Sequence, residues 1–277
     1  SFSNVRLAVK AENWLAASTY LKSAAQYYPW RTELLISAGR YAFLGGDPKT
    51  AIQYLGQPQI LAQLSSDDLL MLGEAYLQTG NMDRARQTWQ QVAQQGDSLQ
   101  ALKYLADLSL QQGDYSAVID YFLSMVRLQP SDAKLQYEVG LLYTATEPLK
   151  ALPYLATAAE MDPALATSAR ELHDKIRTAN LFDRPAYLLV AAGRQLGSMG
   201  EWQLAEEAFK HATQADPEYP DARAFLGEAR QQASIAGSEA ISDAGYSDLT
   251  IALDIDPGSV VANTLMGLYW ERQRDFT

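Results

Sequence analysis

Apolar side chains recur along this chain with the spacing of an α-helix, and a small residue recurs with a much longer period. Leu69, Leu72 and Tyr76 stand at i, i+3 and i+7, which places them on one face of a helix. A small residue, usually glycine, recurs every 33 or 34 residues in the first half of the chain and returns later, at Gly39, Gly73, Ala106, Gly140, Gly193, Gly227 and Gly267. The pattern predicts pairs of amphipathic helices that repeat along the chain.

A second row of glycines marks the turns between the two helices of each pair. Gly46-Asp47, Gly80-Asn81 and Gly113-Asp114 keep the same period, and Gly200-Glu201 rejoins it. The repeat unit is therefore one helical hairpin of about 34 residues. On the first helix, Gly73 lets the second helix approach where a larger side chain would clash. The function of a chain built from such hairpins depends on their surfaces.

The third unit resembles the tetratricopeptide repeat family most clearly. Its first helix carries Leu69, Leu72-Gly73 and Tyr76, its turn is Gly80-Asn81, and its second helix carries Ala85 and Trp89. The resemblance covers most of the chain. It implies an all-α fold, a right-handed α-solenoid of stacked antiparallel helix pairs with about seven repeat units.

One extra helix is expected within the array. Asp162 and Pro163 are typical of an N-cap followed by proline at the first helical position, and an amphipathic segment near 164–180 follows them. The Gly/Ser/Ala-rich stretch at 234–245 is either a longer loop or an extension of the flanking helices.

We expect the chain to form a single continuous array and to be a fragment of a longer protein. The expected parts are a partial repeat at 1–31, repeats at 32–163, the inserted helix at 164–185, repeats at 186–259, and the first helix of a truncated repeat at 260–277.

Composition excludes several classes of function. The chain has 22 Lys and Arg against 33 Asp and Glu, a net charge of -11, which disfavours binding to nucleic acid. No apolar run is long enough to insert in a membrane. We expect a soluble chain whose compartment stays open, either cytoplasmic or extracytoplasmic after removal of an upstream segment.

Candidate catalytic chemistry is sparse. The chain has no cysteine, and His173 and His211 have no other histidine at metal-ligand spacing. Phosphate-loop, zinc-protease and nucleophile-elbow motifs are absent from the sequence. We therefore expect no enzyme activity, no metal and no cofactor.

In the tetratricopeptide repeat family, the first helices of successive repeats line a concave groove in which peptides or proteins bind. The resemblance implies the following groove residues: Ile36, Arg40, Phe43, Leu70, Glu74, Leu77, Lys103, Asp107, Leu110, Tyr137, Leu141 and Arg194. A peptide or protein with apolar anchors would use the row Phe43, Leu77 and Leu110. The alternative is that these three side chains pack between adjacent helices.

Two functions remain open at this point. The leading interpretation is a non-catalytic protein–protein interaction module within a larger protein. The alternative is a structural spacer, or a scaffold that self-associates through exposed ends. A surplus aromatic cluster at Tyr27, Tyr28 and Trp30 is a further candidate contact with a partner.

Overall fold

The computed structural model describes residues 2–96, 98–237 and 244–274, and it confirms the predicted all-α class: the described residues contain helices and no strand. The chain divides into two compact units, residues 1–124 and 125–277. The single continuous array expected over 1–277 stays a prediction.

The first unit is a series of helical hairpins. Helices α1 to α4 each pack against the next, α6 packs against α4 and α7, and α7 packs against α8. Helix α9 begins in this unit and ends in the second. The helices are α1 (Phe2–Lys10), α2 (Trp14–Tyr27), α3 (Thr32–Leu44), α4 (Pro48–Leu55), α5 (Pro58–Leu61), α6 (Ser66–Gln78), α7 (Met82–Gln95), α8 (Leu99–Gln111) and α9 (Tyr115–Leu128).

In the second unit, every described helix packs against its successor in the chain. The first helices of neighbouring hairpins also meet, since α13 packs against α10 and α15, and α15 packs against α17. The helices are α10 (Ala133–Thr146), α11 (Pro148–Met161), α12 (Pro163–Asn180), α13 (Pro185–Ser198), α14 (Trp202–Ala215), α15 (Pro220–Gly237), α16 (Tyr246–Ile255) and α17 (Val260–Arg274).

The glycine turns have the backbone that their period predicted. Gly46 and Gly80 have φ of 79° and 80°, in the left-handed region that a side chain disfavours. The residue after each glycine then caps the next helix: Asp47 accepts a hydrogen bond from the backbone N of Thr50, and Asn81 accepts one from that of Arg84. Two adjacent residues therefore end one helix and start its partner.

The small residues of the first helices are the points of closest helix approach. A methyl group at Gly73 would overlap the indole of Trp89, and one at Gly140 would come within 2.6 Å of a Leu155 methyl carbon. The same relation joins Gly39 to Leu55 and Gly193 to Phe209. In these four hairpins, one large side chain of the second helix fills the space that the glycine leaves open.

The inserted helix is confirmed as α12 and belongs to the core. Asp162 caps it by accepting a hydrogen bond from the backbone N of Ala164 at 2.8 Å, and Pro163 is its first residue. Its apolar face is buried in the main hydrophobic cluster of the second unit and consists of Ala166, Ala169, Leu172, Ile176 and Ala179.

Two local features differ from a regular hairpin. The second helix of the second repeat ends early at Gly56, and the Gln57-Pro58 step starts the one-turn helix α5, which the periodicity does not predict. Helix α15 has 18 residues and extends through 234–237, as expected for a helix extension. Residues 238–243 of the Gly/Ser/Ala-rich stretch lie outside the described part of the chain.

Gly73→Ala should destabilise the first unit by about 1–3 kcal/mol, because the added methyl group displaces the buried Trp89 ring. Gly267→Ala is the matched control: apart from the local backbone of its own helix, no described atom lies within 4 Å of the added carbon, and alanine stabilises a helix interior by about 0.5–1 kcal/mol relative to glycine. Urea unfolding of both variants measures the difference. Equal destabilisation by the two substitutions would contradict the packing role of Gly73.

Candidate functional site

The predicted groove residues of the first unit differ in exposure. Ile36 is buried in the core, whereas Phe43, Leu70 and Leu77 are partly buried and pack against apolar clusters. Lys103, Asp107 and Leu110 are exposed on α8, with Leu110 at 40%. Of the apolar row Phe43, Leu77 and Leu110, the first two are therefore largely used in helix packing.

Arg40 forms an ion pair between two first helices. Its guanidinium donates two hydrogen bonds to the Asp68 carboxylate, from Nε to Oδ1 at 2.5 Å and from Nη2 to Oδ2 at 2.7 Å. Arg40 lies on α3 and Asp68 in the first turn of α6, so the pair joins two neighbouring repeats. This fork-to-fork geometry is the strong form of a carboxylate–arginine contact. Arg40 thus has a structural role that its groove position did not predict.

Asp68 also completes the capping box of its own helix, in which Ser65 is the N-cap and Asp68 is the third helical residue. Its carboxylate accepts hydrogen bonds from the backbone N and the hydroxyl of Ser65, while the Ser65 hydroxyl accepts from the backbone N of Asp68. Burial, which leaves Asp68 2% exposed, raises its pKa, but the hydrogen bonds from Arg40 and Ser65 outweigh it and leave the pKa below its usual value.

Glu74 is tied to the aromatic core of the same unit. The Tyr104 hydroxyl donates to Glu74 Oε2 at 3.5 Å, and the Tyr104 ring stacks on Trp89 with centroids 4.8 Å apart. Trp89 in turn donates from Nε1 to the Leu70 carbonyl at 3.2 Å. These contacts link Glu74 of α6 to Tyr104 of α8 and to Trp89 of α7.

In the second unit, α10 offers little free surface. Leu141 is only 5% exposed and belongs to the main core cluster, and Tyr137 packs against the same cluster. Burial raises the pKa of the Tyr137 hydroxyl, against a hydrogen bond with Ser168 that lowers it. Helix α10 has little free surface because it packs against α11, α12, α13 and α14. Leu141→Ala would therefore remove core packing and not a contact with a partner.

A pocket of about 280 Å³ opens between α13, α14 and α15. Predicted groove residue Arg194 is at this pocket, and most of the lining is apolar or aromatic. We call it the α13–α15 pocket, and its lining residues are Gly193, Arg194, Gly197, Ser198, Trp202, Phe209, Phe225 and Glu228.

Two glycines of α13 shape the floor of this pocket. A methyl group at Gly193 would lie 2.7 Å from the Phe209 ring, and one at Gly197 would lie 2.8 Å from the Trp202 ring. Both rings therefore lie closer to the α13 backbone than they could if a residue with a side chain replaced either glycine. Phe209 also stacks on Phe225 of α15, with centroids 5.5 Å apart. The floor is thus a set of aromatic rings held in place by helix packing.

The charged residues at the pocket have different partners. Arg194 lies with Cζ 5.0 Å from the centroid of the Phe225 ring, a cation–π contact. Glu228 is held by Arg272, whose Nη2 and Nη1 donate to its two carboxylate oxygens at 2.7 and 2.8 Å. The Ser198 hydroxyl donates to the Gln195 carbonyl at 2.7 Å. The pocket therefore offers a partner an apolar surface and one positive charge, that of Arg194, and this arrangement is suited to binding.

Sequence reasoning named Arg194 but missed the pocket. A signal was available, because Gly193 and Gly197 stand one helical turn apart and the large ring of Trp202 follows directly after the turn.

The aromatic cluster at the beginning of the first unit is exposed. Tyr27 is 78% and Trp30 72% exposed, and Tyr28 meets Trp30 edge to face with centroids 5.7 Å apart. A shallow pocket of about 290 Å³ lies beside them and is lined by Phe2, Tyr20, Ser23, Ala24, Tyr27 and Tyr28. We call this surface the α1–α2 aromatic face.

Hairpins packed through glycine contacts, with pockets between them, define an all-helical repeat protein. The family model for the tetratricopeptide repeat matches residues 70–133, which begin in α6 and end at the start of α10. This match confirms the resemblance found in the sequence for residues 70–133, which contain tetratricopeptide repeats. Such repeats generally mediate protein–protein interaction, and their fold is typically a non-catalytic scaffold.

Several solved structures are similar to this chain at low identity. The C-terminal part of a TPR repeat-containing protein from Cytophaga hutchinsonii is 13% identical over 96% of this chain and 99% of that chain, with a TM-score of 0.47. A tetratricopeptide repeat protein from Parabacteroides merdae is 16% identical over 86% and 98%, with a TM-score of 0.43. YrrB, described as a TPR protein with an unusual peptide-binding site, is 18% identical over 79% and 97%, with a TM-score of 0.34. No curated protein matches the sequence.

Over the described residues, no helix combines the length and the apolar character needed to cross a bilayer.

Arg40→Gln should lower the free energy of unfolding of the first unit by about 1–2 kcal/mol at neutral pH. This is the low part of the range for hydrogen bonds between charged groups, because the guanidinium is half-exposed. Since the Asp68 pKa is lowered in the folded state, the stabilisation is present above the unfolded pKa of about 3.9 and is lost as the pH falls through the folded value. The deficit of the variant should therefore shrink in acid.

Lys103→Gln is the control for this prediction, because it removes the same charge from an exposed site on α8 and should change stability by less than about 0.5 kcal/mol at any pH. Urea titrations across the acid range measure both variants. If Arg40→Gln behaves like Lys103→Gln, the interhelical pair does not stabilise the fold.

Proposed function

We propose that this chain is a non-catalytic protein–protein interaction module that binds a segment of a partner through the α13–α15 pocket. The observation that carries the proposal is the aromatic floor built by Trp202, Phe209 and Phe225 beside the exposed Arg194. The general role of tetratricopeptide repeats supports it. Interfaces depend on a few apolar or aromatic anchors seated in such pockets.

The size of the pocket favours a side chain as its occupant. About 280 Å³ lies at or below the lower end of the range for small-molecule sites. One large apolar side chain would fill it. Burying such a side chain contributes about 1.5–3 kcal/mol, whereas micromolar affinity requires about 8 kcal/mol. A partner that binds with micromolar affinity would therefore make further contacts outside the pocket.

The first unit has its own candidate contacts. Leu110, Lys103 and Asp107 are exposed together on α8, while Phe43 and Leu77 retain part of their surface. The groove positions on α3, α6 and α8 remain a proposed partner surface, in which Leu110 is the most accessible apolar side chain of the row.

A second candidate function is self-association, favoured by the α1–α2 aromatic face and by charge. Residues 1–31 carry four basic side chains and one acidic, whereas residues 201–277 carry fourteen acidic and five basic. These opposite charges would guide the aromatic face of one copy to the acidic segment of another. Such a head-to-tail contact uses two different surfaces, so it leads to rings or filaments.

Ser198→Phe should abolish selection of peptides by the pocket, because the new ring occupies its edge. Wild type would be used to select a displayed library of random peptides, and the enriched peptides would be measured by fluorescence anisotropy against each variant. We expect at least about a tenfold loss of affinity for Ser198→Phe, equal to one lost anchor.

Thr167→Phe is the control for the pocket experiment, since it adds the same ring at an exposed site on α12 in the same unit. Both variants should keep the wild-type melting temperature to within a few degrees. Peptides that bind Ser198→Phe as well as they bind wild type would exclude the pocket as the docking site.

Self-association predicts a sedimentation coefficient that rises with protein concentration at low salt and falls back when salt screens the charges. Tyr27→Ser combined with Trp30→Ser should return the chain to a monomer, whereas Leu181→Ser, which changes an exposed apolar residue of the second unit, should not. A concentration-independent monomer at low salt would remove this second function.

A further inference from the structure

We infer that the α13–α15 pocket selects segments in which a carboxylate lies next to the apolar anchor, and that Arg194 is the residue that reads this carboxylate. The inference rests on the proposed function, since it names the chemistry of the partner at the same pocket. The inference depends on which charged side chains at the pocket have no ion-pair partner within the described part of the protein.

Arg194 differs from the neighbouring arginines. Among arginines on α13, α15 and α17 whose side chains the structure describes, Arg223 and Arg230 pair with Asp248, and Arg272 pairs with Glu228. Arg194 has no carboxylate within ion-pair distance in the described part of the chain. Its recorded partner is the face of the Phe225 ring. A guanidinium on a ring face keeps its N–H donors, which lie in its plane, for another acceptor.

The acidic residue at the pocket is already neutralised. Both carboxylate oxygens of Glu228 accept hydrogen bonds from Arg272, and one of them also accepts from Gln232 Nε2 at 2.8 Å. With its charge balanced by Arg272 and three hydrogen bonds already accepted, Glu228 attracts a cation on a partner less than a free carboxylate would. The charge that the pocket can offer a partner is therefore positive, although the chain as a whole carries -11.

Arg194 also lies directly beside the apolar floor of the pocket. Phe225 lines the pocket floor and also supports Arg194, so the anchor site and the cation share one ring. An aromatic group of a partner that fills the pocket would bring atoms one or two bonds beyond its own ring close to the Arg194 guanidinium. An acidic residue beside an aromatic or large aliphatic residue has this layout.

The test uses two small probes that differ in charge alone: 3-phenylpropionate and its neutral amide, 3-phenylpropanamide. The protein would be labelled with ¹⁵N-glycine, and the amide shifts of Gly193 and Gly197 would be followed during titration with each probe. We expect the carboxylate to bind about threefold more tightly than the amide, the size of one exposed ion pair.

Variants assign the preference to Arg194. Arg194→Gln should bind both probes equally, and Arg194→Lys should keep part of the preference. Arg170→Gln removes an exposed arginine from α12, which does not line the pocket, and should leave the preference unchanged. About half-molar salt should reduce the preference in the wild type.

The outcomes separate this inference from the proposed function. Equal binding of both probes to the wild type, or a preference that persists in Arg194→Gln, would overturn the role of Arg194 and leave an apolar docking pocket. Binding of neither probe would also overturn the inference, and the peptide selection with Ser198→Phe would then decide the proposed function by itself.

Discussion

The close approach of paired helices at a glycine is the constraint on which the rest of this structure depends. At Gly73 and Gly193 the missing side chain of the first helix is replaced by a large ring from the second, Trp89 and Phe209 respectively. Packing of this kind is sensitive to a single methyl group, because protein interiors have little free volume. It fixes how closely the two helices of these hairpins lie against each other.

The candidate site uses the same device. Gly197 repeats the contact one turn after Gly193 and admits the Trp202 ring, so two glycines one helical turn apart on α13 make room for two aromatic rings. Core packing and the pocket floor are therefore made by the same side chains. A pocket built in this way is formed before a partner arrives, which reduces the ordering cost of binding. The cation at the pocket, Arg194, is placed by the ring of Phe225, which stacks on that floor.

The sequence predicted the helices, the glycine turns and the inserted helix, because each depends on residues close together in the chain. It could not predict the pair between Arg40 and Asp68, since these residues are 28 positions apart and meet only when α3 and α6 are correctly rotated. Leu141 was assigned to the groove by its position in the repeat, but it is buried because α12 to α14 all pack against α10. The exposure of a groove residue thus depends on the insertion, and the repeat pattern does not report it.

The most direct test of where a partner binds uses the five tryptophans as reporters. With 5-fluorotryptophan in the protein, each tryptophan gives one ¹⁹F signal, and a selected peptide can be titrated into the sample. We expect the Trp202 signal to shift in step with binding, while the signals of Trp30 on the α1–α2 aromatic face and of buried Trp89 stay in place. A peptide that shifts Trp30 and leaves Trp202 unchanged would contradict it.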